Sequence, residues 1–269
     1  MNSKLLTKFN RKNQNLSEKN NRIFGLIGFP IEHSYSPQLF KTFFINNNIV
    51  DAEYHLFPFK DISIIRRFIE DNKNIVGLNV TMPYKKSIIP YLDCCDEIAK
   101  QTGAVNTVKI ERNNNNIYLK GYNTDYEAIQ CQLNLLFPDT KIRKALILGT
   151  GGSAITASKV LIKTGTEVIF VSRNPSKINQ ISYKDIDKSL LSEVDIVINA
   201  TPVGMFPNNS SCPDFPFNLC NKNMVFLDMI YNPPETLFLN RARKIGANTE
   251  NGMLILKLQA NASWKIWNK

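Results

Sequence analysis

The sequence Ala145-Leu-Ile-Leu148, continued by Gly149-Thr-Gly-Gly-Ser-Ala154, decides the fold. The uninterrupted apolar run is typical of a parallel strand that is buried on both faces. The segment after it fits the pattern G-x-G-x-x-G/A, in which the first glycine makes a tight turn and the second lets the backbone approach a pyrophosphate. A helix that ends near Thr164 and a second apolar strand, Glu167–Val171, follow. The stretch therefore predicts one half of a Rossmann-type dinucleotide-binding sheet, and the alternative is a purely structural glycine turn.

The residues after the second strand indicate which dinucleotide binds. An NAD site places Asp or Glu there, to accept a hydrogen bond from the ribose 2′-hydroxyl. Here the segment Phe170-Val-Ser-Arg-Asn-Pro-Ser-Lys177 contains no acidic residue. Arg173 and Lys177 offer cations to a 2′-phosphate, and Ser172 and Asn174 offer neutral donors. We therefore predict NADP as the cofactor; the alternative is that both cations are solvated surface charges.

Strands and helices alternate along the rest of the chain, which predicts an α/β fold. Strands of the first half are predicted at Ile23–Ile27, Glu53–Phe57 and Ile75–Val80, with a hairpin of Val105–Ile110 and Ile117–Lys120. Helices of the first half are predicted to follow the N-caps Ser36, Asp61 and Asp93, with Pro37 as the first helical residue after Ser36. A further helix is predicted to begin just before Lys85. In the second half, further strands are predicted at Asp195–Asn199 and Val225–Asp228, and helices at Glu235–Lys244 and Gly252–Trp267.

Charge at the N-terminus and the change of strand pattern along the chain divide it into three predicted segments. About half of the formal net charge of +10 comes from residues 1–22, so we predict a flexible basic tail over residues 1–21. Residues 22–124 are predicted to form a substrate-binding catalytic domain that is completed by the C-terminal helix of residues 250–269. Residues 125–249 are predicted to form the NADP-binding Rossmann domain. The rest of the chain does not concentrate its basic residues, so no nucleic-acid partner is expected; binding of nucleic acid by the tail is a weaker alternative.

Several classes of protein are excluded by what the sequence lacks. No apolar stretch approaches the roughly 20 residues of a membrane-spanning helix, and no secretory signal follows the first methionine. Five cysteines without a C-x-x-C pair indicate neither a zinc cage nor a disulfide framework. With two histidines, His33 and His55, and no ligand cluster, metal catalysis is not expected. We predict a cytoplasmic protein without a metal, whose proton carrier is a lysine, a tyrosine or a carboxylate.

Two local patterns indicate an anion site and an acid–base group. The hydroxyls of Ser34 and Ser36 stand just before a helix that Pro37 begins, and together with that helix N-terminus they make a compact anion site. Lys85 is expected just inside another helix start, where the helix dipole disfavours a cation and loosens its proton. A lysine in that position suits an acid–base role near neutral pH.

A series of motifs, in this order along the chain, resembles the shikimate dehydrogenase family. They are Gly28-x-Pro30-Ile-x-His33-Ser-x-Ser36-Pro37, Asn79-Val-Thr-Met-Pro-Tyr-Lys85, Ala104-Val-Asn-Thr107, Asn123-Thr-Asp125, Gly149-Thr-Gly-Gly-Ser153, Ser172-Arg-Asn174, Asn199-Ala-Thr201, Asp228-Met-Ile-Tyr231 and Asn251-Gly252 with Leu258-Gln-Ala260. The resemblance extends over about residues 22–267. One departure is Leu254, where the family often has a second glycine.

The resemblance implies an oxidoreductase that uses NADPH to reduce 3-dehydroshikimate to shikimate, on the route to chorismate and the aromatic amino acids. It implies Lys85 and Asp125 as the catalytic pair. The implied substrate-binding residues are Ser34, Ser36, Thr81, Lys85, Asn106, Asp125, Tyr231 and Gln259. The predicted cofactor-binding residues are Gly149, Thr150, Gly151, Gly152, Ser153, Ser172, Arg173, Asn174, Lys177, Met229, Gly252 and Glu97.

Other functions stay open at this point. One is a catabolic quinate/shikimate dehydrogenase, often NAD-dependent, against which the missing acidic residue after Val171 argues. Another is a catalytically silent NADP-binding sensor, against which the presence of both Lys85 and Asp125 argues. The expected partner is a small molecule, and the expected assembly is a monomer or a homodimer.

Overall fold

The computed structural model describes residues 21–113 and 116–269, which form two six-stranded sheets. The predicted basic tail, apart from Asn21, lies outside these residues. The first sheet contains β1 (Arg22–Gly28), β2 (Ala52–Pro58), β3 (Ile75–Val80), β4 (Cys94–Cys95), β5 (Thr107–Asn113) and β6 (Asn116–Tyr122). The second contains β7 (Lys144–Leu148), β8 (Glu167–Val171), β9 (Gln180–Ile181), β10 (Ile196–Asn199), β11 (Val225–Asp228) and β12 (Asn248–Glu250).

The helices of the described residues flank these sheets. They are α1 (Ser36–Asn46), α2 (Ile65–Asp71), α3 (Glu97–Thr102), α4 (Asp125–Leu136), α5 (Gly152–Lys163), α6 (Lys188–Glu193), α7 (Leu237–Lys244) and α8 (Met253–Trp267). No helix within residues 21–113 and 116–269 combines the length and the apolarity that a membrane crossing needs.

The second sheet is the predicted Rossmann-type sheet. Its strand order is β12-β11-β10-β7-β8-β9, and every neighbouring pair is parallel. Counted from β7, this is the order 3-2-1-4-5-6 of dinucleotide-binding folds. From β7 the chain first adds β8 and β9 on one side, and it then adds β10, β11 and β12 on the other side. The crevice between β7 and β10, where the strand order reverses, is where ligands bind in such sheets. Leu146, Ile147 and Leu148 are fully buried, as the uninterrupted apolar run predicted.

The first sheet is mixed and has the order β2-β1-β3-β5-β6-β4. β1 pairs in parallel with β2 and β3, whereas β5 pairs antiparallel with β3 and β6. The predicted hairpin is therefore present, although its residues 114–115 lie outside the described ranges. The two sheets confirm the predicted α/β class, with an N-terminal α/β domain and a Rossmann-type domain.

The C-terminal helix α8 returns to the first sheet. Trp267 is buried against Phe24 and Phe40, with ring centroids at 4.8 and 5.6 Å. Its indole Nε1 donates a hydrogen bond to the Val108 carbonyl at 3.0 Å. A Cβ on Gly77 would lie 2.4 Å from the indole, so this glycine leaves the space that the ring occupies. The exact domain boundaries stay a prediction.

Three helix starts differ from the sequence predictions. The segment after Thr81 forms successive turns, with a 3-10 turn at Ile89–Tyr91, so the helix predicted at Lys85 is absent. The cap of α3 is Asp96, which accepts a hydrogen bond from the Ala99 amide, and not Asp93. Asp93 instead accepts a hydrogen bond from the backbone amide of Leu119, on β6, at 2.7 Å. Ser36 is the first residue of α1 rather than its cap.

Candidate active site

A cavity of about 390 Å³ opens between the two sheets at the ends of their strands. Its lining includes the loop after β1, the turns after β3, the start of α4, the segment after β11 and one face of α8. All predicted substrate-binding residues line it, namely Ser34, Ser36, Thr81, Lys85, Asn106, Asp125, Tyr231 and Gln259. They come from distant parts of the sequence and meet because strand ends of both sheets face the same crevice.

Lys85 and Asp125 form an ion pair in this cavity. The Lys85 Nζ atom lies 2.6 Å from Asp125 Oδ2 and donates a further hydrogen bond to the Ser153 hydroxyl at 3.1 Å. The two side chains are 18% and 11% exposed, so water screens the pair less than it screens a surface pair. No helix begins at Lys85, so the prediction that a helix dipole acts on its ammonium is wrong. The carboxylate and the hydroxyl, rather than a dipole, set the surroundings of this ammonium.

Asn106 fixes the orientation of the Asp125 carboxylate. Its amide Nδ2 donates to Asp125 Oδ1 at 2.8 Å, and its Oδ1 accepts the backbone amide of Thr124 at 2.8 Å. Asn106 is buried, so both halves of its amide need partners. The result is a chain of contacts in which Asn106 holds one oxygen of Asp125 and Lys85 holds the other.

Ser34, Ser36 and Tyr231 form the hydroxyl-rich wall of the cavity. Ser34 Oγ accepts the Ser36 backbone amide at 3.2 Å, and the two serine hydroxyls are also 3.2 Å apart. The ring of Tyr231 reaches this wall from the other domain, with its centroid 5.5 Å from that of Tyr35. Burial raises the pKa of the Tyr231 phenol, which therefore stays a hydrogen-bond donor at neutral pH. Convergent hydroxyls near the beginning of α1 suit a carboxylate.

Asn79 lines the cavity but was not among the predicted site residues. Its Oδ1 accepts the Tyr54 hydroxyl at 2.8 Å, while its Nδ2 donates to Ser263 Oγ at 2.9 Å. Asn79 is the first residue of the motif that ends at Lys85 and lies near the end of β3. Its position in the sequence could therefore have indicated that it belongs to the site. For Tyr54 the sequence carries no such signal, because it is one of several partly buried residues of β2.

The glycine loop leaves room for a dinucleotide. Gly149 has a φ of +101°, in the left-handed region that favours glycine, and a Cβ there would lie 3.0 Å from Thr201. A Cβ on Gly151 would meet no atom within 4 Å, so the protein's own packing does not require that glycine. Ala154 is fully buried between helix and strand. An open backbone before the N-terminus of α5 is the arrangement that a pyrophosphate needs; Thr150 is exposed in the same loop.

The predicted recognition residues for a 2′-phosphate lie at the carboxyl end of β8. Arg173, Asn174 and Lys177 are exposed there, and Ser172 is partly buried. The Ser172 hydroxyl accepts the Asn174 backbone amide at 3.2 Å, which shapes the turn. Two exposed cations beside the glycine loop fit a phosphate on the adenosine ribose.

Met229 and Gly252 meet at the cavity wall, where the nicotinamide is predicted to lie. The Gly252 amide donates to the Ile230 carbonyl at 3.1 Å. A Cβ on Gly252 would lie 2.3 Å from the Met229 carbonyl oxygen, so this contact requires glycine. Glu97 lies elsewhere, on α3, where it accepts a hydrogen bond from Gln101 at 2.9 Å. It is not part of the cavity lining, and its predicted role stays a prediction.

Asp228 stabilises the part of the cavity wall that follows β11. Its fully buried carboxylate accepts the Thr236 hydroxyl at 2.6 Å, the Asn199 amide at 3.1 Å and the Ile230 backbone amide at 3.0 Å. Burial raises the pKa of Asp228 to about 6, although the three donors oppose that rise. This network holds the segment from Met229 to Tyr231 against the end of β11.

A nucleotide-binding sheet that faces a lysine–carboxylate pair across one cavity defines a two-domain, dinucleotide-dependent oxidoreductase. Within the described part of the chain, no three histidine, cysteine or acidic side chains are grouped to hold a metal.

Comparison with known proteins gives the family. A family model described as the shikimate dehydrogenase substrate binding domain matches residues 26–108. The shikimate dehydrogenase (NADP(+)) of Caldanaerobacter subterraneus subsp. tengcongensis is 35% identical over 266 residues, which cover 91% of each chain. The solved shikimate dehydrogenase 1 of Peptoclostridium difficile is 37% identical with a TM-score of 0.81, covering 92% of this chain and 91% of that one. A shikimate dehydrogenase solved in complex with NADP+ is 33% identical, also with a TM-score of 0.81, covering 92% and 90%. The chain belongs to the shikimate dehydrogenase family.

Proposed function

We propose that this protein catalyses the reversible, NADP-dependent interconversion of shikimate and 3-dehydroshikimate. The observation that carries the proposal is the Lys85–Asp125 pair, 2.6 Å apart, in a cavity that both sheets line. Shikimate dehydrogenase (NADP(+)) is also the name of the relative with 35% identity. We expect the enzyme to act in the cytoplasm as a monomer or a homodimer, in the synthesis of chorismate and the aromatic amino acids.

NADPH, when bound, would supply the hydride for reduction of the keto carbon. Lys85 supplies the proton to the carbonyl oxygen, since its Nζ is the cationic donor inside the cavity wall. In the oxidation of shikimate the same nitrogen takes the hydroxyl proton back. Asp125 keeps Lys85 oriented through the 2.6 Å contact and accepts a hydrogen bond from a neighbouring ring hydroxyl.

The substrate carboxylate is proposed to bind Ser34, Ser36 and Tyr231, whose hydroxyls converge on the wall beside α1. Three donors set the position of the ring and leave its hydroxyls facing Asn106 and Asp125. Thr81 and Gln259, which also line the cavity, complete the set of polar contacts around the ring.

NADP is proposed to bind with its pyrophosphate on the Gly149–Ser153 loop and its 2′-phosphate beside Arg173 and Lys177. The open space beside Gly151 supports the first contact, because a Cβ placed there would meet no atom within 4 Å. The exposed cations and the absence of an acidic side chain after β8 support the second. Met229 and Gly252 are proposed to border the nicotinamide.

The test is a matrix of initial rates, followed by absorbance of the reduced nicotinamide. Shikimate and quinate are each combined with NADP+ and NAD+. We expect turnover with shikimate and NADP+ at a kcat/KM at least about tenfold above shikimate with NAD+, as loss of the charged contact to the 2′-phosphate implies, and above quinate with either cofactor. Preference for quinate with NAD+ would identify a catabolic enzyme instead. Absence of turnover in a protein that still binds NADPH would identify a sensor.

A further inference from the structure

One side chain of the dinucleotide-binding loop reaches the Lys85 ammonium. Ser153 is the second residue of α5, and its hydroxyl accepts a hydrogen bond from Lys85 Nζ at 3.1 Å. We propose that Ser153 is a positioning residue, which holds the Lys85 ammonium between Asp125 and the nucleotide-binding loop. The inference rests on the proposed function and deepens it, because the sequence motifs connect Ser153 only with cofactor binding.

The backbone beside Ser153 supports this role. A Cβ on Gly152 would lie 3.1 Å from Lys85 Cβ and 3.4 Å from its Cδ. The bare backbone of Gly152 therefore gives the lysine stem the space in which it lies. The first turn of α5 thus contacts Lys85 at both ends of its side chain, with Gly152 beside the stem and Ser153 beside the ammonium.

A second lysine makes the same connection. Lys86 Nζ donates to the Thr150 carbonyl in the glycine loop at 3.3 Å. The turn that carries the proton donor is therefore joined to the loop predicted to bind NADP by two separate hydrogen bonds. The proton donor and the hydride donor would be positioned by one shared segment, Thr150–Ser153.

The geometry of an ammonium explains what Ser153 contributes. Three N–H bonds point from Lys85 Nζ in tetrahedral directions. Asp125 and Ser153 accept two of them, at 2.6 and 3.1 Å, which fixes the third direction for the substrate oxygen. With Asp125 alone, the ammonium can rotate about the one remaining contact.

The experiment compares Ser153→Ala, Ser153→Thr and a matched control, Ser158→Ala. Ser158 is a buried serine of the same helix whose hydroxyl bonds only the Ile155 carbonyl among the described residues. We expect Ser153→Ala to lower kcat about fivefold to tenfold, with KM for NADP+ within about twofold of wild type. Ser153→Thr, which keeps the hydroxyl, is expected to retain most of kcat, and Ser158→Ala is expected to match wild type.

The split between kcat and KM separates positioning from packing. A misplaced ammonium slows the chemical step, whereas a disturbed nucleotide loop weakens cofactor binding. We therefore expect the loss in Ser153→Ala to fall on kcat and not on KM for NADP+, and Ser158→Ala to change neither. If Ser153→Ala fails to fold, Ser153→Cys replaces it, because a thiol of similar size is only a weak acceptor. An increase in KM for NADP+ with unchanged kcat would overturn the proposal and leave Ser153 as a cofactor contact.

A measurement without turnover keeps this inference distinct from the proposed function. In protein labelled with ¹⁵N-lysine, the Lys85 Nζ signal is assigned by its loss in Lys85→Arg. We expect this signal to shift or broaden in Ser153→Ala and to stay in place in Ser158→Ala. An unchanged signal contradicts the positioning role even if shikimate is oxidised. If the signal shifts in Ser153→Ala while the wild-type protein does not oxidise shikimate, the positioning role is supported and the proposed function is contradicted.

Discussion

Replacement of Asp125 by asparagine tests the ion pair with the smallest change of shape. The carboxylate accepts from two donors, Lys85 Nζ at 2.6 Å on Oδ2 and Asn106 Nδ2 at 2.8 Å on Oδ1. An asparagine side chain has one acceptor oxygen and one NH₂ donor. In either orientation, therefore, the Asp125→Asn variant turns a donor toward one of these two donors.

The magnitude follows from the contact that is lost. Asn106 is buried and already bound to the Thr124 amide, so we expect the new amide oxygen to face Asn106 and its NH₂ group to face Lys85. A hydrogen bond to a charged group contributes about 1.5–3 kcal/mol net. Since about 1.4 kcal/mol is a factor of ten in rate, kcat/KM for shikimate should fall by roughly 10-fold to 150-fold.

The assay is NADP+ reduction by shikimate, followed by absorbance across the pH range in which wild type is active. Asp187→Asn is the matched control. Asp187 is an exposed helix cap that accepts the Leu190 amide at 2.8 Å, and asparagine caps a helix equally well. We expect this control to keep wild-type rates. If Asp125→Asn stays within about threefold of wild type at every pH, the pair does not serve the chemistry and the argument from its geometry is wrong.

Four further changes give separate readouts. Lys85→Ala should lower kcat by about a hundredfold or more with substrate binding largely kept, measured by kinetics and by calorimetric titration with shikimate; retained turnover would assign the proton to another group. Arg173→Ala should raise KM for NADPH selectively, and an equal rise with NADH would argue against 2′-phosphate recognition. Gly252→Ala should lower the free energy of unfolding by about 1–3 kcal/mol in urea titration, because its Cβ would meet the Met229 carbonyl at 2.3 Å. The folded pKa of Asp228, about 6, lies above the ordinary 3.8, so its protonated form stabilises the fold below about pH 4 and that stability is lost as pH rises through about 6. Relative to Asp228→Asn, wild type should lose on the order of 3 kcal/mol over that range, and a constant difference between the two proteins would contradict the raised pKa.

The strands that build the nucleotide-binding sheet could be predicted because burial on both faces leaves a plain signal. Glu167–Val171 and Val225–Asp228 have the predicted bounds, and Ile75–Val80 of the first sheet does too. These segments are apolar runs between loop residues, and competing helical patterns do not overlap them. Short strands at sheet edges, such as β9 and β12, have few residues and no apolar run, so sequence alone did not reveal them.

The turns around Lys85 show where local rules fail. A strand end followed by a proline resembles a helix start, and the sequence holds no residue that forbids one. In the structure the Val105 amide donates to the Lys85 carbonyl at 2.7 Å. Val105 is distant in sequence. Its amide occupies the carbonyl that, in a helix, would accept the amide of the residue four positions after Lys85. Tertiary pairing therefore overrides the local preference for a helix. Without that helix, no helix dipole acts on Lys85.

The polar residues of the cavity could be anticipated because each belongs to a motif at a strand end, where parallel sheets gather their ligands. Their partners could not, because a partner depends on how the two sheets face each other. Ser153 is the clearest case, since its place in a glycine loop predicts a phosphate contact. Its hydroxyl lies 3.1 Å from Lys85 Nζ because α5 packs against the turn after β3, which the sequence does not show. Motifs thus predict which residues line the cavity. The role of each residue depends on its contacts across the interface between the two domains. For that reason, the coordination of hydride and proton transfer is best tested by substitutions at this interface. Substitutions of the most recognisable motif residues test it less directly.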